Sequence, residues 1–170
     1  MTTSTLRTER LLLEPYRPED EEDFVALFAD ESVVRWMGSS PQSEADVRAL
    51  FGRIFTKVYA QDLFDVWAVR QDGRFVGHAE IKRSDDVGGG HELVYALAPG
   101  SWGTGLGTEI ARALVGYGFD VLGLPEVHAT VAEENQASLV LLGRLGFRHV
   151  RDIREDDGAV TRVLTFGRPA

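Results

Sequence analysis

The sequence contains no cysteine. It therefore has no disulfide framework, no thiolate ligand for a metal ion and no cysteine nucleophile, so any covalent chemistry would have to use another residue. The histidines also lack the HxH and HxxxH spacings that are typical of zinc sites. They lie at His78, His91, His128 and His149. We therefore predict that the protein has no metal site.

Long apolar segments are missing near the start of the chain. The first fifteen residues contain only the run Leu11–Leu13 before charge and proline return. This run is too short for the core of a signal peptide or for a membrane span. We therefore expect a cytoplasmic protein with no membrane partner.

A surplus of positive charge is absent as well. The sequence has 18 lysines and arginines against 27 aspartates and glutamates, a formal net charge of −9. This balance argues against a broad basic face, so we expect no nucleic-acid partner. An acidic surface suits a cationic substrate, although it also keeps an ordinary domain in solution.

A length of 170 residues with 44% hydrophobic residues predicts one domain over residues 1–170.

The first half of the chain predicts two helices beside several strands. One helix opens at Pro18, and another at Ser43, whose hydroxyl would cap it together with Asp46. Their inward faces hold Phe24, Leu27, Phe28, Val47, Leu50, Phe51 and Ile54. The predicted strands occupy residues 10–16, 63–70, 74–83 and 91–98. Strand and helix periods therefore alternate from the start of the chain.

In the second half, a glycine-rich turn at residues 100–107 leads into a third helix. Its buried face is predicted to hold Leu106, Ile110, Ala113, Leu114, Tyr117 and Val121. A strand at 126–132, a helix at 135–145 and a closing hairpin around Asp157 and Gly158 follow. This order predicts an α/β (α+β) fold with a mixed, mainly antiparallel sheet of about seven strands, about four helices and one strand-helix-strand crossover.

The glycine-rich turn is the strongest chemical signal. Glycines at the start of a helix let backbone amides approach a phosphate closely, and the helix dipole adds partial positive charge. We therefore predict a diphosphate site. A Rossmann fingerprint would need glycine where Thr108 stands, and a P-loop would need a GK[ST] run that does not follow. The alternative without a ligand is a simple tight turn.

These residues carry a family resemblance. The run Glu92–Glu109, ELVYALAPGSWGTGLGTE, resembles motif A of the GNAT superfamily of N-acetyltransferases. Asn135, Ser138 and the pair Gly146 and Phe147 resemble motif B, and residues 6–20 resemble the branch that acetylates ribosomal-protein amino termini (RimJ/RimL-like). The resemblance implies a GNAT-like fold and transfer of an acetyl group from acetyl-coenzyme A. The implied acceptor is a primary amine, on a protein or peptide amino terminus or on a small molecule.

The resemblance also implies a cofactor site. Its residues are Leu97, Trp102, Gly103, Thr104, Gly105, Leu106, Gly107, Thr108, Asn135 and Ser138. Backbone amides from Gly103 to Thr108 would bind the pyrophosphate, and the pantetheine arm would lie along the strand that ends near Leu97. The Trp102 side chain is expected to pack. Leu142 stands where many members carry a tyrosine that protonates the departing thiolate, so that role is vacant or moved.

Acetyl transfer to an alkyl amine requires a base, because the amine is protonated at neutral pH. Glu92 is the first choice, since related enzymes have been assigned a base at the matching glutamate. Strand alternation places Glu92 on one face with Val94, while His78 and Glu80 share a face of the preceding strand and are alternative bases. Repulsion between the two acids would raise one carboxyl pKa. The other interpretation of Glu92 is a charged strand start at the solvent rim.

The remaining roles have two interpretations each. The resemblance suggests Ser138 as the thiolate acid, whereas an ordinary first-turn serine would serve the local backbone. Asn135 either contacts the cofactor or caps its helix. A backbone N–H near residues 95–97 would stabilise the acetyl oxygen.

Other function classes are a non-catalytic acyl-coenzyme A sensor, a decayed interaction domain and a transferase of longer acyl groups. The sequence is compatible with a homodimer.

Overall fold

The computed structural model describes residues 3–37 and 43–170. Within them a single mixed sheet has the strand order β1-β2-β3-β4-β5-β6-β8-β7. The strands are β1 (Leu6–Arg7), β2 (Leu12–Glu14), β3 (Asp65–Gln71), β4 (Arg74–Arg83), β5 (His91–Leu97), β6 (Glu126–Ala132), β7 (Arg148–Arg154) and β8 (Val160–Gly167). Neighbouring strands are antiparallel except β5 and β6, which are parallel. The predicted fold class is confirmed.

The helices of this part of the chain are α1 (Glu21–Ala29), α2 (Glu31–Val34), α3 (Glu44–Arg53), α4 (Leu106–Asp120) and α5 (Gln136–Leu145). A π-helical segment, Ile54–Tyr59, continues α3. Ser43 caps α3 as predicted, because its hydroxyl accepts a hydrogen bond from the Asp46 amide at 3.1 Å. None of the helices in the described ranges is long and apolar enough to cross a membrane.

The sheet has one strand more than predicted because residues 6–7, which precede the predicted strand 10–16, pair with β2. Thr8 N donates to Leu11 O at 2.9 Å, which closes a turn between β1 and β2. Only residues 12–14 of the predicted strand 10–16 pair as β2. The turn brings the N-terminal segment back over the start of α4, where it contacts Glu109.

Both faces of the sheet are covered. On β3, Trp67 and Val69 pack under α4 and α5, whereas Val66 and Ala68 pack under α1 and α3. This alternation follows the two-residue period of a strand. The prediction that Val121 belongs to the buried face of α4 is wrong: its exposed fraction is 58%, because the helix ends at Asp120.

Candidate active site

The central feature is a divergence of the two parallel strands. β5 pairs with β4 along its whole length, but its pairing with β6 is confined to Glu92 opposite His128. Ala98 N donates to Val76 O at 2.8 Å, so even-numbered residues of β5 direct their backbone groups towards β4. The N–H groups of Tyr95 and Leu97 therefore face β6, and no strand of residues 3–37 and 43–170 pairs with them. The result is a cleft edged with backbone donors.

The glycine turn lies at the open end of this cleft. Gly103 and Gly105 have φ angles of 73° and 82°, the left-handed region that favours glycine. Gly105 is the N-cap of α4 and no side chain caps the helix. The amides of its first turn therefore lack intrahelical partners and add to the positive end of a 15-residue helix. This donor set fits a diphosphate.

The Trp102 side chain lies beside the end of β5 and is half-exposed. Its exposed fraction is 48%, and its indole N–H donates to the Leu97 carbonyl at 2.8 Å. The ring lies at the rim of the cleft, where its N–H satisfies the last carbonyl of β5. Its contribution is therefore to hold the turn against the strand end.

Glu92 is buried, with an exposed fraction of 8%. It lies at the closed end of the cleft, where its Oε1 accepts a hydrogen bond from the Thr130 hydroxyl on β6. Its side chain shares a face with Val94 and Ala96, as the alternation predicted, because Ala96 packs with α1 residues on the face opposite α4. This burial argues against a position at the solvent rim.

A second, partly buried carboxylate, Glu80, lies beside it on β4. The Tyr16 hydroxyl is 2.6 Å from His78 Nδ1, and His78 Nε2 is 2.9 Å from Glu80 Oε1. Glu80 Oε2 is 3.5 Å from Lys82 Nζ, and Lys82 is the direct neighbour of Glu92 in the sheet. Glu80 therefore lies diagonally from Glu92 across the β4–β5 pair.

The prediction that repulsion raises a carboxyl pKa is wrong for Glu80. Burial alone would raise the pKa of this carboxyl. The hydrogen bond and charge of His78, together with the charge of Lys82, outweigh burial and lower the pKa below its usual value. Glu80 is therefore ionised at neutral pH. Burial raises the pKa of Tyr16 well above its usual value, so this phenol remains a donor.

Asn135 and Ser138 meet at the start of α5. The Ser138 amide donates to Asn135 Oδ1 at 3.3 Å, so asparagine caps the helix. Asn135 Nδ2 in turn donates to Ser138 Oγ at 3.2 Å. Because the serine oxygen accepts this bond, its own hydrogen is free to be donated elsewhere. Leu142 is buried in the core, with 2% exposed.

The Tyr95 side chain was overlooked in the sequence, where only its backbone was considered. Its ring lies on the face covered by α4, with Cε2 3.9 Å from where a Cβ on Gly107 would be. The hydroxyl is buried and has no hydrogen-bond partner among residues 3–37 and 43–170. Burial raises its pKa to about 12, so it is a protonated donor. An unpaired buried donor beside the glycine turn fits a ligand with acceptor atoms.

Comparison with known proteins identifies the family. The family model described as the acetyltransferase (GNAT) domain matches residues 10–148. The chain therefore belongs to the GNAT acetyltransferases. It is an acetyl-coenzyme A-dependent N-acyltransferase that acts on an amine, and acetyl-coenzyme A is its co-substrate. This membership sets aside the non-catalytic alternatives.

Individual relatives agree with this assignment. The uncharacterized N-acetyltransferase YoaA of Bacillus subtilis (strain 168) is 27% identical over 158 residues, which cover 88% of this chain and 86% of that protein. An acetyltransferase from Agrobacterium tumefaciens str. C58 superposes with a TM-score of 0.81 at 23% identity, covering 99% and 96% of the two chains. Spermidine N-acetyltransferase from Vibrio cholerae, solved with CoA and spermine, gives a TM-score of 0.79 at 17% identity, covering 93% and 95%. The two structures share the fold.

Proposed function

We propose that the cleft between β5 and β6 holds acetyl-coenzyme A and that Glu92 receives the proton of the attacking primary amine. One observation carries this proposal. The strands separate immediately after Glu92, and the glycine turn lies at the other end of the same strand edge. From Glu92 to Leu97, β5 spans about 16 Å at a rise of about 3.3 Å per residue. An extended arm along this edge therefore links a diphosphate on the turn to a thioester near Glu92.

Each group around the cleft then has a role. The bound thioester supplies an activated acetyl group. The first-turn amides of α4 bind the diphosphate, and the N–H groups of Tyr95 and Leu97 donate to carbonyl oxygens, including that of the acetyl group. Glu92, oriented by Thr130, accepts a proton from the ammonium form of the acceptor. The free amine attacks the acetyl carbon directly, without an acyl-enzyme; the carbon–sulfur bond breaks, and the proton that the nitrogen then loses goes to the departing thiolate. Ser138 donates a hydrogen bond to the departing sulfur.

The ionised Glu80 is the alternative base. His78 and Lys82 occupy one oxygen each of its carboxylate, at 2.9 and 3.5 Å, so its basicity is reduced. Glu92 has a single hydroxyl donor and lies where the cleft closes. We therefore assign proton transfer to Glu92. Glu80 provides fixed negative charge that attracts the protonated acceptor.

The acceptor is a primary amine on a peptide amino terminus or on a small molecule. The resemblance of residues 6–20 to the RimJ/RimL-like branch favours the amino terminus. Free thiol released from acetyl-coenzyme A can be followed with a thiol-reactive dye, because the protein has no cysteine. We expect release that depends on one class of amine in a panel of peptides, polyamines, aminoglycosides and amino acids. Release that is independent of any amine would contradict the proposal.

Replacing Ser138 with alanine tests the thiolate role. We expect kcat to fall about tenfold, the worth of one hydrogen bond to a developing charge, with little change in coenzyme A affinity. Single-turnover rates and a coenzyme A titration separate the two effects. Asn135 keeps its cap on the Ser138 amide in this variant. A loss of thermal stability with an unchanged single-turnover rate would assign Ser138 to helix capping alone.

Tyr95→Phe is the comparison variant, because it removes the second hydroxyl on the α4 side of the cleft. The Tyr95 hydroxyl makes no hydrogen bond within residues 3–37 and 43–170. The free energy of unfolding of the ligand-free protein should therefore stay the same or increase. A fall in kcat confined to Ser138→Ala supports the assignment of Ser138. A fall in kcat confined to Tyr95→Phe would instead assign the hydrogen bond to the departing sulfur to Tyr95.

A further inference from the structure

The N-terminal turn between β1 and β2 is bonded to the start of α4 through one carboxylate. Glu109 Oε2 accepts from the Thr8 hydroxyl and from Arg10 N at 2.8 Å. Glu109 Oε1 accepts from Arg10 Nε at 2.8 Å. Burial opposes ionisation of Glu109, but the hydrogen bonds from Thr8 and Arg10 lower its pKa. The ion pair therefore persists at neutral pH.

The same arginine also bonds to the glycine turn. Arg10 Nη1 donates to the carbonyl oxygen of Thr104 at 2.7 Å. In a trans peptide the C=O of one residue and the N–H of the next point in opposite directions. Arg10 on the Thr104 carbonyl therefore directs the Gly105 N–H away from the N-terminal turn. The Gly105 N–H therefore points to the other side of α4. Gly107 lies on that side, beside Leu141 of α5 and above the cleft.

The turn needs such a restraint because of its composition. Gly103 and Gly105, at φ of 73° and 82°, flank Thr104, and glycines have the widest choice of backbone conformations. A turn that is free to move would have to be ordered when the diphosphate binds, which costs affinity. Arg10 joins the peptide between these glycines to the first turn of α4 through Glu109. It therefore restrains a segment of the cofactor site that lies outside the strands and helices.

We propose that Thr8, Arg10 and Glu109 form a clamp that pre-organises the diphosphate-binding turn, with Arg10 as a positioning residue. This inference rests on the proposed cofactor site. Arg10 acts on the backbone of the turn, since its Nη1 donates to the Thr104 carbonyl while its Nε donates to Glu109. The clamp should matter only for ligands that carry the diphosphate.

Arg10→Ala is therefore tested with two acetyl donors. Acetyl-coenzyme A contains the diphosphate, whereas acetyl-pantetheine does not. We expect Arg10→Ala to raise the Kd of coenzyme A and the KM of acetyl-coenzyme A about tenfold through lost pre-organisation. The kcat at saturation and the kcat/KM for acetyl-pantetheine should stay within about twofold, because the clamp touches neither the acetyl group nor the amine. Equal losses with both donors would overturn the clamp and indicate a general structural role.

Arg112→Ala is the matched control. Arg112 lines the same depression of about 420 Å³ as Arg10, so its removal changes the local charge equally. It donates no hydrogen bond to the turn, and we expect a Kd close to that of the wild type. A loss as large as that of Arg10→Ala would show that positive charge near the turn, and not the clamp, provides the affinity.

Two conservative variants keep the test valid if Arg10→Ala is unstable. Arg10→Lys keeps the charge but lacks the fork that reaches Glu109 and Thr104 together, and Glu109→Gln keeps the shape of its partner. Both should raise the Kd of coenzyme A, and wild-type affinity in both would overturn the clamp. Failure of the wild type to bind coenzyme A would instead refute the cofactor site itself.

Discussion

Replacing Glu92 with glutamine is expected to lower kcat by about 10² to 10⁴-fold at neutral pH, the range that a positioned general base supplies. Glutamine preserves the size of the side chain, and its amide oxygen can still accept from Thr130. The buried site at the closed end of the cleft should therefore keep its shape. What is lost is the only group in the proposed mechanism that takes the proton from the ammonium.

The defect of Glu92→Gln should depend on pH. An alkyl ammonium has a pKa of about 10 and a peptide amino terminus one of about 8, so the fraction of either acceptor that is already deprotonated rises with pH. The ratio of wild-type to variant kcat/KM should therefore be largest at low pH and shrink as pH approaches the pKa of the acceptor. A ratio that stays constant across the profile would contradict proton transfer by Glu92.

Two other glutamates serve as comparisons. Glu126→Gln removes a half-exposed carboxylate from the neighbouring strand and should leave the pH profile unchanged. Glu80→Gln removes the alternative base, and we expect it to raise the KM for the amine more than it lowers kcat. If Glu80→Gln instead reproduces the pH-dependent loss, the base is Glu80.

Local patterns of the sequence predicted much of the fold. The helical spacing from Leu106 to Tyr117 and the capping box at Ser43 correspond to α4 and α3. The alternation of β5 correctly separated the two faces of the sheet. These features depend on neighbours a few residues apart, so they can be read from periodicity.

Features that depend on distant residues could not be predicted in this way. Glu109 and Arg10 are separated by 99 positions, and no local period indicates that they meet. Lys82 lies opposite Glu92 because of the β4–β5 register, which sequence analysis did not define. The divergence of β5 from β6 likewise follows from tertiary packing. The only early signal of the clamp was that Thr8 and Arg10 lie within the segment that resembles one branch of the family.

Replacing Gly105 with glutamate should remove coenzyme A binding. The backbone at φ of 82° disfavours any side chain by about 1 to 2 kcal/mol. An added Cβ would lie 3.3 Å from Arg10 Nη2, so the clamp would also be disturbed. The new carboxylate would place negative charge beside the diphosphate, and like charges brought together cost several kcal/mol. We expect the Kd to rise about 100-fold or more.

Gly158→Glu is the matched control for this substitution. Gly158 lies in the hairpin between β7 and β8, has a φ of 86°, and a Cβ there would meet nothing within 4 Å. The two variants therefore share the charge change and a similar backbone cost. Gly105 lies in the glycine turn and Gly158 does not, so a difference in coenzyme A affinity between the two variants reports on the turn.

Calorimetric titration of coenzyme A into the wild type, Gly105→Glu and Gly158→Glu tests the central assignment most directly, with circular dichroism confirming that each protein is folded. The cofactor site proposed for the cleft predicts equal Kd values for the wild type and Gly158→Glu, and a Kd about 100-fold higher or more for a folded Gly105→Glu. Wild-type affinity in Gly105→Glu would contradict the site and would place the diphosphate elsewhere on the molecule.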